Sequence, residues 1–89
     1  MKLTTKSGFT CNIDTDALND WEIHEILMKE DDPYMESRFV QAIMQKCLSK
    51  KDADALKDHV RTETGRIPAD ALKAEVFDLI QTIGKEKNS

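Results

Sequence analysis

The stretch Leu56–Pro68, LKDHVRTETGRIP, constrains the fold more than any other part of the chain. Ala53, Leu56 and Val60 recur at three- and four-residue spacing, which lines one narrow apolar face of a helix. Gly65 follows and suits the left-handed position that ends a helix. Pro68 lacks the N–H that a continuing helix needs, yet fits the first turn of a new one. The spacing predicts a helix over about Lys50–Glu63, a connection at Gly65–Ile67, and a second helix over about Ala69–Ile83. The two are expected to fold back on each other. Leu72, Val76, Leu79, Ile80 and Ile83 form the apolar face of the second helix, with Phe77 at its flank, and Gly84 is expected to end it.

The segment before this pair fills out a mainly α fold. An N-terminal β-hairpin over 2–13 precedes a compact bundle of about four short helices, near 20–29, 33–48, 50–63 and 69–83. Together they make a single domain over 1–84, with a short polar tail at 85–89. In the hairpin, a three-residue loop with Gly8 in a left-handed bulge pairs Leu3 with Cys11 and Thr5 with Phe9. That register places Met1, Leu3, Phe9, Cys11 and Ile13 on one face, and one-sided burial specifies register.

Asn19 and Glu22 have capping-box spacing, so the first helix begins near Asp20. Its Ile23, Ile26 and Leu27 share one face; Trp21 and Met28 lie roughly opposite, with His24 between. A helix apolar on two sides has more to bury than a simple surface helix. Its second side packs either on the hairpin or on a partner. Asp32 and Pro33 open the next helix, whose Met35, Phe39, Val40, Ile43 and Cys47 make it the central, most buried one. Tyr34, Met44 and Leu48 widen its apolar arc. Ser49 and Asp52 repeat the capping-box spacing at the start of the third helix.

With 89 residues the chain supports one small domain, of a size that often gains stability by assembly. The formal net charge is −4, which argues against nucleic acid as a partner. Charge is also uneven. Asp14–Asp32 holds eight acidic residues against one lysine, and Pro33–Lys51 holds four basic residues against one glutamate. The acidic run is either a solvated face or a docking patch for a basic partner. Cys11 and Cys47 make no disulfide framework and are expected as buried thiols of a cytosolic protein. No stretch has the length and apolarity of a membrane span, and the start does not read as a signal peptide.

Chemistry is sparse. Asp14, Asp16 and Glu25 have a faint calcium-loop spacing, but Leu18 and Asn19 stand where a ligand and a glycine are required. His24, His59, Cys11 and Cys47 lack zinc-site spacing. The serines sit in turn, helix and cap contexts, without a glycine-rich phosphate loop. No catalytic residue, metal or cofactor is therefore expected.

The order of elements resembles the small tail assembly chaperones of long-tailed (siphovirus-type) phages and prophages of Gram-positive bacteria. The residues that carry the likeness run from about Leu3 to Gly84. They are Ser7-Gly8-Phe9 with its alternating strand, the run Asp16–Glu22 containing ALNDWE, and the acidic helix Trp21–Met28. A Pro-started helix ending at Cys47-Leu48, LKDHVRTETGRIP and the closing DALKAEVFDLIQTIG complete them. The resemblance implies a non-enzymatic role in the bacterial cytoplasm: binding the tape measure protein before tail tube subunits polymerise around it. It also implies a longer form made by ribosomal frameshifting near the tail, and absence from the finished virion. Trp21, His24, Met28, Tyr34 and Met44 are the candidate partner-binding residues, as a client groove or a self-association surface. The alternatives are a structural or adaptor component of the tail, a small self-associating interaction domain, or a small transcriptional regulator. The last is disfavoured because Asp70, Glu75 and Asp78 are expected to face outward on the fourth helix.

Overall fold

The computed structural model describes residues 1–88, with side chains through Glu86. Its elements are β1 Lys2–Thr4, β2 Thr10–Asn12, a 3-10 turn Asp16–Leu18, α1 Trp21–Met28, α2 Met35–Cys47, α3 Lys50–Val60 and α4 Ala69–Asn88. The architecture is the one expected: a mainly helical globule with an N-terminal two-stranded antiparallel hairpin.

The hairpin adopts the register that one-sided burial demands, with Leu3 opposite Cys11 and Thr4 opposite Thr10. Thr5 N–H donates to the Phe9 carbonyl at 2.8 Å and Gly8 N–H to the Thr5 carbonyl at 3.0 Å. Gly8 sits at φ 95°, where any side chain would be strained. Leu3, Phe9, Cys11 and Ile13 are buried. Met1 does not join them and is half exposed. It lies beyond the last paired rung, where its carbonyl accepts from Ile13 N–H at 2.9 Å and its amino group donates to the Ile13 carbonyl at 3.0 Å. Ile13 also bridges to Leu48, and Asp14 N–H donates to the Cys47 carbonyl at 2.8 Å, which ties the hairpin to the end of α2.

The start of α1 differs from the expected box. Asp20, not Asn19, is the cap, and its carboxylate accepts from Glu22 N–H at 2.8 Å. Asn19 is already engaged in closing the 3-10 turn, its N–H donating to the Asp16 carbonyl. Asp32 does cap the lead-in to α2 by accepting from Tyr34 N–H at 2.9 Å, but the regular helix starts at Met35. As expected, α2 is central. It buries Phe39, Val40, Ala42, Ile43, Met44 and Cys47 and touches all three other helices. Ser49 caps α3 through Asp52 N–H at 3.1 Å.

Two boundaries near the ends of the helical pair move. Helix α3 stops at Val60, because Arg61 turns extended at ψ 134°. Gly65, at φ 88°, does not end that helix; it closes a separate turn in which its N–H donates to the Thr62 carbonyl at 2.9 Å. At the other end α4 runs straight through Gly84 to Asn88. Gly84 has no positive φ, and Lys85, Glu86 and Lys87 are good helix formers, so propensity carries the helix past the glycine. The expected polar tail is therefore helical as far as Asn88, and Ser89 lies outside the described residues. On the core side of α4, Val76, Leu79 and Ile83 are buried, and Phe77 stacks on Phe39 with ring centroids 5.9 Å apart.

Candidate partner-binding surfaces

Two apolar surfaces remain open after the core is built, and the candidate residues divide between them. The first is a stripe on α1. Ile23 is buried at 3% exposure, and Ile26 packs beside the core. The opposite side carries Trp21, His24, Glu25 and Met28, at positions i, i+3, i+4 and i+7 of one helix face. Trp21 is 66% exposed and Met28 58%. The hairpin does not cover them. Leu27, expected on the buried face, is also 44% exposed, so only Ile23 and Ile26 of that face reach the core.

The second surface is a groove of about 760 Å³ between α2, α3 and α4. Val40, Met44 and Leu48 floor it, and Ala53, Ala69 and Leu72 flank the floor. The two alanines keep the walls low. Tyr34, 64% exposed, lines the same groove. Met44, 6% exposed, belongs to the core and at the same time lines the floor of this groove. The wider apolar arc of α2 is filled on this side by α3 and α4, which leave only its edge open.

The groove has a basic rim. Arg38, Lys50, Lys57 and Lys73 line it against a single acidic residue, Asp54. Arg38 is tied to Asp32 at 2.8 Å and Lys50 to Asp54 at 2.8 Å. The Lys50 ammonium, by hydrogen bond and charge, holds the Asp54 carboxyl below its usual range. Lys57 and Lys73 reach no carboxylate within ion-pair distance among the described residues. No α1 residue lines the groove. Helix α1 sits on another side of α2, where Lys46 reaches Asp20 and Glu22, each at 3.4 Å.

A third cluster was not legible beforehand. Ser7, in the hairpin loop, donates to Glu75 of α4 and lies 2.8 Å from His59 Nε2 of α3. Having given its one proton to the carboxylate, Ser7 accepts from the imidazole N–H. Glu75 is therefore buried rather than outward-facing, and Asp78 beside it accepts from Lys6 N–H at 2.7 Å. Of the three acidic residues expected on the outer face of α4, two are taken up by the hairpin loop. Glu75 Oε2 is buried with no hydrogen-bond partner among the described residues. A serine, a histidine and a glutamate meet here, but not as a triad. The carboxylate holds the serine itself and lies 3.6 Å from the same Nε2 that faces Ser7, so it does not orient the imidazole from behind. The arrangement is a latch that fastens the hairpin loop to the helices.

Neither cysteine offers a reactive thiol. Cys11 and Cys47 are free and buried, and burial pushes both thiols up, reinforced by Asp52 at Cys11 and by Asp14 and Asp20 at Cys47. Among the described residues no three metal-ligating side chains converge, and no helix is long and apolar enough to cross a membrane. Comparison with protein-family models, curated proteins and solved structures finds no match.

Proposed function

We propose that this chain is a non-enzymatic assembly chaperone that acts by holding an apolar helix, and that its client is the tape measure protein of a phage or prophage tail. The observation that supports this most is the open groove of α2, α3 and α4, with an apolar floor, low alanine walls and a basic rim. A site built this way suits an amphipathic helix laid along it with apolar anchors down and acidic flanks beside the lysines. The latch around Glu75 offers no catalytic geometry, and the groove floor brings no polar groups together to act on a small substrate. The likeness in element order to tail assembly chaperones is what supports this choice of client.

Co-expression with a tape measure protein encoded beside this chain tests the reading. The client is expected to become soluble and to co-purify. Ala53→Tyr and, separately, Ala69→Tyr fill the groove from half-buried and exposed positions and should each abolish co-purification while far-UV circular dichroism stays unchanged. A client that stays soluble and bound with both groove-filling variants would remove the groove from the proposal. A client that never binds the unmodified chain would remove the chaperone role.

A further inference from the structure

We infer that the Ser7 latch sets the separation of the groove walls, with His59 as the positioning residue that holds the α3 wall in place. This rests on the helix-binding reading of the groove, whatever the client.

The two walls are anchored unequally. Helix α4 buries Glu75, Val76, Leu79 and Ile83, whereas α3 buries Leu56 alone. A short helix takes most of its stability from tertiary packing, so one buried side chain leaves the placement of α3 to its other contacts. The hairpin supplies these at two points. Near the start of α3, Asp52 accepts from Asn12 N–H at 3.0 Å. Near its end, His59 Nε2 donates to Ser7 at 2.8 Å, and the imidazole packs on Phe9 with ring centroids 5.4 Å apart. The same loop grips α4, where Ser7 donates to Glu75 and Lys6 N–H donates to Asp78 at 2.7 Å. His59 Nε2 also lies 3.6 Å from Glu75 Oε1, which sets α3 against α4 directly. One loop therefore straps both walls.

The strap works from behind. No residue of 1–33 lines the groove. Lys57 and Lys73 stand on its rim, and the latch partners His59 and Glu75 each lie two positions further along the same helices. Two residues turn an α-helix by about 200°, so each lysine and its latch neighbour project from nearly opposite sides. A change at the latch thus reaches the groove through the position of the wall, with no latch atom touching an occupant. Packed helices lie about 8–10 Å apart, so a wall that swings outward by a fraction of that loses contact with a helix on the floor. Fixing the wall before the helix arrives removes an ordering cost from binding.

Severing α3 from the strap tests this. His59→Ala removes the hold on Ser7, Glu75 and Phe9 at once and leaves every groove-lining residue in place. His59→Gln restores a side-chain N–H donor. Ile13→Val trims a buried hairpin residue, so it weakens the fold and spares the latch. The first measurement uses no client. Spin labels on Ala55→Cys of α3 and Ala69→Cys of α4, both exposed positions, report the wall separation by double electron–electron resonance. Cys11 and Cys47 are buried and should take no label. The distance distribution should broaden in His59→Ala, recover in His59→Gln and stay narrow in Ile13→Val. In the second measurement, without labels, affinity for the tape measure protein encoded beside this chain should fall about 2- to 30-fold in His59→Ala, the range for coupling through packed elements. His59→Gln and Ile13→Val should stay close to the unmodified chain. Thermal melts confirm that each variant is folded. An unchanged wall separation in folded His59→Ala, or an unchanged affinity despite a broadened one, overturns the inference and leaves the helix-binding groove standing. A loss of affinity in Ile13→Val as large as that in His59→Ala overturns it too, because stability alone would then set the binding. An unmodified chain that binds no client removes the helix-binding reading, and this inference with it.

Discussion

The hairpin and α1 are two small attachments to the same central helix, and they resolve their apolar residues in opposite ways. The hairpin turns Leu3, Phe9, Cys11 and Ile13 to one side and buries all four. Helix α1 buries Ile23, half-covers Ile26 and leaves Trp21, Leu27 and Met28 in solvent. Both begin with about the same apolar content. The difference lies in what holds them. The hairpin is stitched at both ends, by Ile13 and Asp14 to the end of α2 and by Lys6 and Ser7 to α4 and α3. Helix α1 packs on α2 through Ile23 and Ile26, with Lys46 reaching Asp20 and Glu22, and turns its other side to solvent. The lesson is that apolar residues in the hairpin hold this fold together, whereas those on the outer face of α1 do not.

Four experiments break or sharpen that contrast, taken from the largest effect downward. Ile13→Ala should cost about 2–5 kcal/mol in chemical denaturation, the range for a fully buried aliphatic side chain that leaves a cavity. A loss under 1 kcal/mol would mean that the hairpin is as loosely held as α1. Ser7→Ala removes the donor to the buried Glu75 carboxylate and should cost about 1–3 kcal/mol. It should also speed hydrogen exchange at Phe9 and Cys11 more than at Ile23. Equal acceleration at all three sites would show that the latch is not specific to the hairpin.

The third experiment concerns pH. The Glu22 N–H, with Lys46 behind it, holds the Asp20 carboxyl below its usual range; the Tyr34 N–H and Arg38 do the same at Asp32. A carboxyl depressed on folding adds stability above its unfolded value, near about 3.9, and that stability is lost as pH falls through the lower folded value. Thermal melts should therefore be level above that point and decline below it, with α1 loosening before the hairpin. Asp20→Asn keeps a capping side chain but should flatten part of the decline; an unchanged acid slope would discount the cap. The smallest effect is expected from Trp21→Ala with Met28→Ala, which should change stability by no more than about 0.5 kcal/mol per site. A loss comparable with that of Ile13→Ala would make these residues core and close the α1 surface.

Much of this was legible in the sequence where the signal is local and periodic. The hairpin register followed from alternation plus one glycine, and α2 read as central because its apolar arc is wide. Local signals misled where two rules competed. Asn19 has capping-box spacing, but the chain spends it on the preceding 3-10 turn. Gly84 looks like a stop, yet strong helix formers follow it. The candidate residues divide between two surfaces. Trp21, His24, Met28 and Tyr34 are exposed, while Met44 lies under the groove, since helical spacing alone cannot tell a floor from a rim. The Ser7–His59–Glu75 latch left no pattern at all. Its members are 52 and 68 positions from the loop serine, and only the packing of the hairpin on α3 and α4 brings them together.

That latch also sets an order of events during synthesis. Glu75 and Asp78 are made 68 and 72 positions after Ser7 and Lys6. A two-stranded hairpin alone is marginal in water. Ile13 and Asp14 can dock it on the end of α2, but its loop stays unfastened until α4 has been made. The nascent chain closes only when α4 has emerged, so a ribosome paused before Glu75 holds a chain with its hairpin unfastened.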